Sequence, residues 1–138
     1  MVNEVIIVDT GIIAAFYNKK DEHHSRAFEL LNNLRKGIYG TGIITDYILD
    51  ETVTLLNMRT KRPEPALKAG QIIIEEKIGK FFPLTVDLVY KTWKIYQKYV
   101  IKGLSFTDCT ILAVAEFIEC EDVLSFDKEF DGIINRVM

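Results

Sequence analysis

At 138 residues and 15.9 kDa the chain has the length of one ordinary domain, not of two. With 49% hydrophobic and 27% charged residues it is no disordered, collagen-like or low-complexity chain. The mean hydropathy is +0.11, yet no apolar run approaches the roughly 18 residues of a membrane span. The opening run VIIV is too short for a signal peptide and ends in an acid, so a cytoplasmic protein is expected. A net charge of −3 argues against a surface that coats nucleic acid, but the charge is unevenly spread. The last 36 residues hold 2 of the bases and 8 of the acids, which leaves the first 102 mildly basic.

Glu4–Asp9 predicts a strand buried on both faces, ended by Asp9. Thr10–Tyr17 follows as a short helix and Asn18–Asp21 as a solvated turn. From Glu22 to Lys36, Ala27, Leu30, Leu31 and Leu34 recur at helical spacing, with Gly37 as C-cap. Ile38–Ile44 reads as a second strand whose glycines signal a bulge or a close backbone approach. Thr45 caps a helix running to about Arg59, with Ile48, Thr52, Leu55 and Leu56 on its apolar face. Pro63 and Pro65 end it and open another over Glu64–Ile78. Phe81–Leu84 is a third strand, weakened by Pro83.

Asp87–Ile101 predicts a helix with Val89, Trp93, Tyr96 and Val100 inward and Lys91, Lys94, Lys98 and Lys102 outward, stopped by Gly103. Ser105 caps a helix through Glu119. Val123–Phe126 is a fourth strand, followed by a helical turn and a last strand over Ile133–Val137. Strands alternating with helices predict an α/β fold, one domain over residues 1–138, with a mostly parallel sheet and helices on both faces. If Cys109 and Cys120 share one helix they stand about 16 Å apart along its axis, beyond disulfide reach. Both read as ordinary thiols.

Four acids stand out by their surroundings. Asp9 follows VIIV and Asp127 follows VLSF, at the carboxyl ends of strands, where open parallel sheets bind ligands; each also suits an N-cap. Glu51 shares a helix stripe with Ile48 and Leu55, either buried and paired or reaching water at the stripe's edge. Asp108 occupies the capping-box position after Ser105 and shares a face with Ile111, Leu112 and Ala115. A single cleft would account for all four. Carboxylates crowded there need a counter-charge, and oxygen-only ligands select Mg²⁺ or Mn²⁺ over zinc.

The motifs VDTG (Asp9), TDYILDE (Thr45 to Glu51), SFTDCTILA (Asp108) and LSFDKEF (Asp127), in this order and spacing, resemble a PIN domain. Within that family they resemble the small stand-alone toxin ribonucleases of the VapC type. The resemblance covers essentially the whole chain. It implies a three-layer α-β-α sandwich, an acidic pocket holding Mg²⁺ or Mn²⁺, endonucleolytic cleavage of RNA, a homodimer and a small antitoxin partner. Carried over, Asp9, Glu51, Asp108 and Asp127 form the catalytic pocket, Asp9, Asp108 and Asp127 ligate metal, and Thr10 and Ser125 give polar support. Two positions depart from the family: Gly11 stands where many members have Ser, and Ser125 where Thr or Asn is common. The alternatives are an RNA-processing nuclease outside any toxin–antitoxin pair, or a module that binds RNA or protein without cutting.

Lys19, Lys20, Arg59, Lys61 and Arg62 offer an approach for substrate phosphates, or simply a solvated surface. His23 and His24 point about 100° apart on a helix and read as surface residues. The run Ile72–Ile74 is more apolar than one helix stripe needs, which agrees with a homodimer. A haloacid-dehalogenase-type phosphatase needs a second Asp where Gly11 stands, and a phosphoreceiver domain needs an Asp after its third strand; both readings fail.

Overall fold

The computed structural model describes residues 4–138; the part of the signal-peptide reading above that falls on residues 1–3 lies outside those described. Among the described residues five strands form one sheet: β1 (Val5–Val8), β2 (Thr41–Thr45), β3 (Lys80–Phe82), β4 (Asp122–Leu124) and β5 (Asn135–Val137). Between them run α1 (Thr10–Tyr17), α2 (His24–Arg35), α3 (Asp46–Thr60), α4 (Pro63–Ile74), α5 (Val86–Tyr99) and α6 (Phe106–Phe117). Single 3-10 turns occupy Val100–Lys102 and Lys128–Phe130. All pairings are parallel, in the order β3-β2-β1-β4-β5. Ile7 is in register with both Ile43 and Val123, so β1 is central, and Ile6, Ile7 and Val8 are buried as a strand covered on both faces requires.

The order fixes where a ligand can bind. From β1 the chain steps to β2 and β3 on one side, then returns across the sheet through α5 and α6 to β4 on the other. Right-handed crossovers put α1–α4 over one face and α5 and α6 over the opposite one. The packing within each group agrees: α1 meets α2, α3 and α4, and α5 packs on α6; a smaller contact, α3 with α6, joins the two groups. The direction reverses between β1 and β4, and the crevice past their carboxyl ends is the natural binding site of such a sheet.

Several boundaries fall short of the expected ones, for local reasons. The second strand starts at Thr41, not Ile38, because α2 ends in a Schellman reversal: Ile38 N–H donates to the Asn33 carbonyl, and Gly37 has φ +78°. The same device stops α4 at Ile74 instead of Ile78, with Lys77 N–H bonded to the Ile72 carbonyl and Glu76 left-handed. It also stops α6 at Phe117 instead of Glu119, with Cys120 N–H on the Ala115 carbonyl. Cys120 therefore lies beyond the helix of Cys109; both thiols are buried and free. Strand β3 ends at Phe82 because Pro83 has no N–H to pair. Strand β4 spans Asp122–Leu124 and not 123–126, and β5 begins at Asn135, after a turn that takes up Ile133 and Ile134. Gly42 is a close approach: a Cβ there would stand 2.8 Å from the Ile78 carbonyl.

The face of α5 differs most. Leu88 and Thr92 are its buried residues, with Ile95, Tyr96 and Tyr99 partly buried, whereas Trp93 and Val100 face solvent. Among the described residues no helix is long and apolar enough to cross a membrane.

Candidate active site

The switch point between β1 and β4 is fastened by one hydroxyl. Ser125, directly after β4, donates its Oγ–H to Asp9 Oδ2 at 2.6 Å and accepts the Asp127 N–H at 2.9 Å. Asp9, directly after β1, accepts the Thr10 N–H on Oδ1 and donates its own N–H to the Leu124 carbonyl. Asp9 is thus the N-cap of α1 and a member of the crevice at once. It is 5% exposed, and burial pushes its carboxyl up to about 7; the Ser125 bond opposes that rise, while the charges of Asp108 and Glu51 add to it. Thr10 Oγ1 is buried without a hydrogen-bond partner among the described residues.

Asp108 enters from the first turn of α6. Its Oδ2 accepts the Ser105 N–H at 2.9 Å and Ser105 Oγ accepts the Asp108 N–H at 3.0 Å, a complete capping box. Burial again raises the carboxyl above its ordinary range, against the Ser105 bonds and together with the charges of Asp127 and Glu51. Carboxylate oxygens of Asp108, Asp127 and Glu129 lie within 4.8 Å of one another. Glu51, half-buried on α3, acts on both Asp9 and Asp108 through its charge, although neither it nor Asp9 belongs to that tight trio.

Glu129 escaped the sequence reading. Asp127 Oδ1 accepts the Glu129 N–H at 2.9 Å, and the fully buried Phe130 anchors the 3-10 turn that brings Glu129 back towards Asp127. The only signal was an acid two places after Asp127 in FDKEF. The ring of His23, read as a plain surface residue, stacks on Phe126 with centroids 4.4 Å apart, and His24 Nδ1 bonds the Ala15 carbonyl at 2.8 Å. Gly11 faces open space, so the departure there removes no packing. Burial and the charge of Asp108 push the Cys109 thiol up to about 11, so it offers no thiolate nucleophile.

Of the five cations considered above, Lys19, Lys20, Arg59 and Arg62 line one cavity of about 660 Å³ beside α1, α3 and α4; Lys61, the left-handed residue that ends α3, does not.

The family model described as PIN domain matches residues 6–134. A VapC ribonuclease of Archaeoglobus fulgidus is 30% identical over 125 residues, 90% of this chain and 78% of that protein. The crystal structure of a VapC toxin of Mycobacterium tuberculosis that cleaves the sarcin-ricin loop superposes with a TM-score of 0.79 at 28% identity, over 91% of this chain and 92% of the toxin. A VapBC structure from Rickettsia felis, bound to a DNA fragment from its promoter, shares the fold at a TM-score of 0.66 and 17% identity, over 96% of this chain and 97% of that one.

Proposed function

The chain belongs to the PIN domain family, and we propose that it is a divalent-metal-dependent endoribonuclease, the cytoplasmic toxin of a toxin–antitoxin pair, hydrolysing RNA phosphodiester bonds. One observation carries the reading: acids from β1, α3, α6 and the turn after β4 converge at the switch point. Among the described residues no Lys or Arg forms an ion pair with any of them. Like charges this close call for an external cation, and an all-oxygen donor set fits hard Mg²⁺ or Mn²⁺. Asp108, Asp127 and Glu129 would hold it, with Asp9 beside them and Glu51 adding charge from α3. Such a cation supplies charge neutralisation at the phosphate and activation of water.

The chain's own contribution is to hold its groups still. The Thr10 N–H and Ser125 hydroxyl fix both oxygens of Asp9, and the capping box fixes one oxygen of Asp108. The carboxylates thus keep their positions while the crevice takes up substrate, which is what preorganised catalysis requires. The names of the relatives at 30% and 28% identity support RNA as substrate and the toxin role. A homodimer and a small antitoxin belong to the same reading; the exposed Val86, Tyr90 and Trp93 on α5 support the former.

The test is cleavage of RNA with Mn²⁺ and with EDTA, by the wild type and Asp108→Asn. We expect cleavage with Mn²⁺ alone, lowered by orders of magnitude in the variant. Equal cleavage in EDTA would overturn the metal requirement; RNA bound but never cut would make the chain a binding module.

A further inference from the structure

We propose that the cavity of about 660 Å³ at the ends of α1 and α3 and the start of α4 is a second RNA subsite, taking a phosphate on arginines and a base against an aromatic ring. This rests on the nuclease reading and adds to it where the strand runs after leaving the acids. Lys19, Lys20, Arg59, Arg62 and Lys68 line the cavity against a single carboxylate, Glu64, in a chain whose net charge is −3. Only Arg59 among these cations forms an ion pair with a described residue, with Asp21 at 3.9 Å. Unneutralised charges of one sign around a concavity focus its potential, and two guanidinium groups add the forked donors that match a phosphate. The volume lies within the range of small-ligand sites.

The lining also includes Phe16 and Tyr17. Cations interleaved with aromatic rings characterise single-strand binding, since every base has a face to stack. Phe16 already stacks on Phe28, which leaves Tyr17 to meet a base; an acidic peptide would satisfy the lysines and leave Tyr17 unused. The position agrees. Helix α1 begins beside Asp9 and ends at Tyr17, and Arg59 lies eight residues beyond Glu51 on α3, so each helix leads from the acids to the cavity in about 12 Å. The turn between α1 and α2 makes a third link: Asp21 approaches Arg59, while His23 stacks on Phe126, the residue before Asp127. A strand with one phosphate at the acids reaches the cavity within a few nucleotides. Neutralisation there offsets the repulsion that the acids impose on a polyanion.

The experiment measures binding of a labelled single-stranded oligouridylate, and in parallel of a labelled oligoglutamate peptide, in EDTA across a salt series, by fluorescence anisotropy. The proteins are wild type, Arg59→Ala/Arg62→Ala, Arg59→Lys/Arg62→Lys and Tyr17→Ala. Losing two phosphate contacts should flatten the slope of log K against log salt by about 1.4 in the alanine pair, while the lysine pair keeps the slope. Tyr17→Ala should bind about 5- to 150-fold more weakly with its slope unchanged. An alanine pair with wild-type affinity and slope overturns the subsite. So does one that loses only an oligoglutamate peptide, which would assign the cavity to an acidic protein partner. Because the assay holds no metal, an inactive wild type in the cleavage assay sinks the nuclease reading separately.

Discussion

Asp108 divides its carboxylate between two tasks: Oδ2 closes the capping box, and the group also stands in the trio with Asp127 and Glu129. The capping and metal-binding roles are therefore compatible, and substitution separates them. Asp108→Asn keeps a carbonyl oxygen for the Ser105 N–H and removes a charge, so the metal-free protein should melt no lower. The wild type should gain ~2.7 kcal/mol from Mn²⁺ at a hundredfold excess over Kd, and the variant much less. Asp108→Ala should lose the same response and also about 1 kcal/mol of cap; paired melts with and without Mn²⁺ read both effects. Asp9 gives a pH signature. Its carboxyl titrates near 7 when folded against an ordinary 3.8, so between those values the folded state holds a proton that the unfolded state has shed. Its contribution is then greatest below about pH 4 and is lost as pH rises towards 7. From pH 5 to 8, metal-free wild type should fall by roughly 1–3 kcal/mol relative to Asp9→Asn in urea unfolding; a constant difference would refute the raised carboxyl. Asp9 and Asp127 were legible because strand-end acids follow short apolar runs, and Asp108 because it follows a cap. Glu129 was not, since a turn seated by Phe130, and no periodicity, brings it in.

At the scale of elements, α1 spans the residues its composition predicts, and α3 buries Ile48, Thr52 and Leu56 of its expected stripe. Helix ends and the face of α5 were less legible. On α5 the stripe Val89–Trp93–Tyr96–Val100 and the stripe through Leu88, Thr92, Ile95 and Tyr99 share one period and differ by one residue, about 100°. Thr92 lends the Leu88 stripe a polar character in sequence, but its hydroxyl donates to the Leu88 carbonyl at 2.7 Å within the helix, so it is buried at no polar cost. The ends of α4 and α6 were misjudged because glutamates occupy the left-handed position that glycine usually marks: Glu76 and Glu119 both have φ 57°. The consequence is measurable. The Glu119 side chain makes no hydrogen bond or ion pair among the described residues, so Glu119→Gly should relieve the left-handed penalty and gain about 0.5–1 kcal/mol. In a domain of this size that raises Tm by about 2–5 °C in a thermal scan. Glu76→Gly should gain less, because Glu76 Oε1 accepts the Phe81 N–H at 3.0 Å and helps to start β3.

For the whole molecule, strand order was beyond reach of the sequence, because periodicity marks which segments are strands and says nothing about their neighbours. The order β3-β2-β1-β4-β5 sets the ends of β1 and β4 side by side, so that Asp9 and Asp127, over a hundred residues apart in sequence, meet across Ser125. The same crossover that returns the chain to β4 leaves α5 with a solvent face that its packing does not use. Val86, Tyr90 and Trp93, at steps of four and three, are 71%, 67% and 52% exposed. In the run Ile72–Ile74, by contrast, Ile73 is buried and only Ile74 is exposed, so α5 carries the larger apolar surface. A stable dimer buries about 800 Å² per partner, roughly a tenth of the 7908 Å² surface, and aromatic anchors near its centre dominate the energy. If this face is the homodimer contact, light scattering should give about twice the 15.9 kDa chain mass for the wild type. Trp93→Glu, which places a charge where desolvation would be greatest, should return 15.9 kDa at the same concentration with its circular dichroism unchanged. A wild type that stays at the single-chain mass over a broad concentration range rules out the homodimer, and a Trp93→Glu protein that remains dimeric moves the contact away from α5.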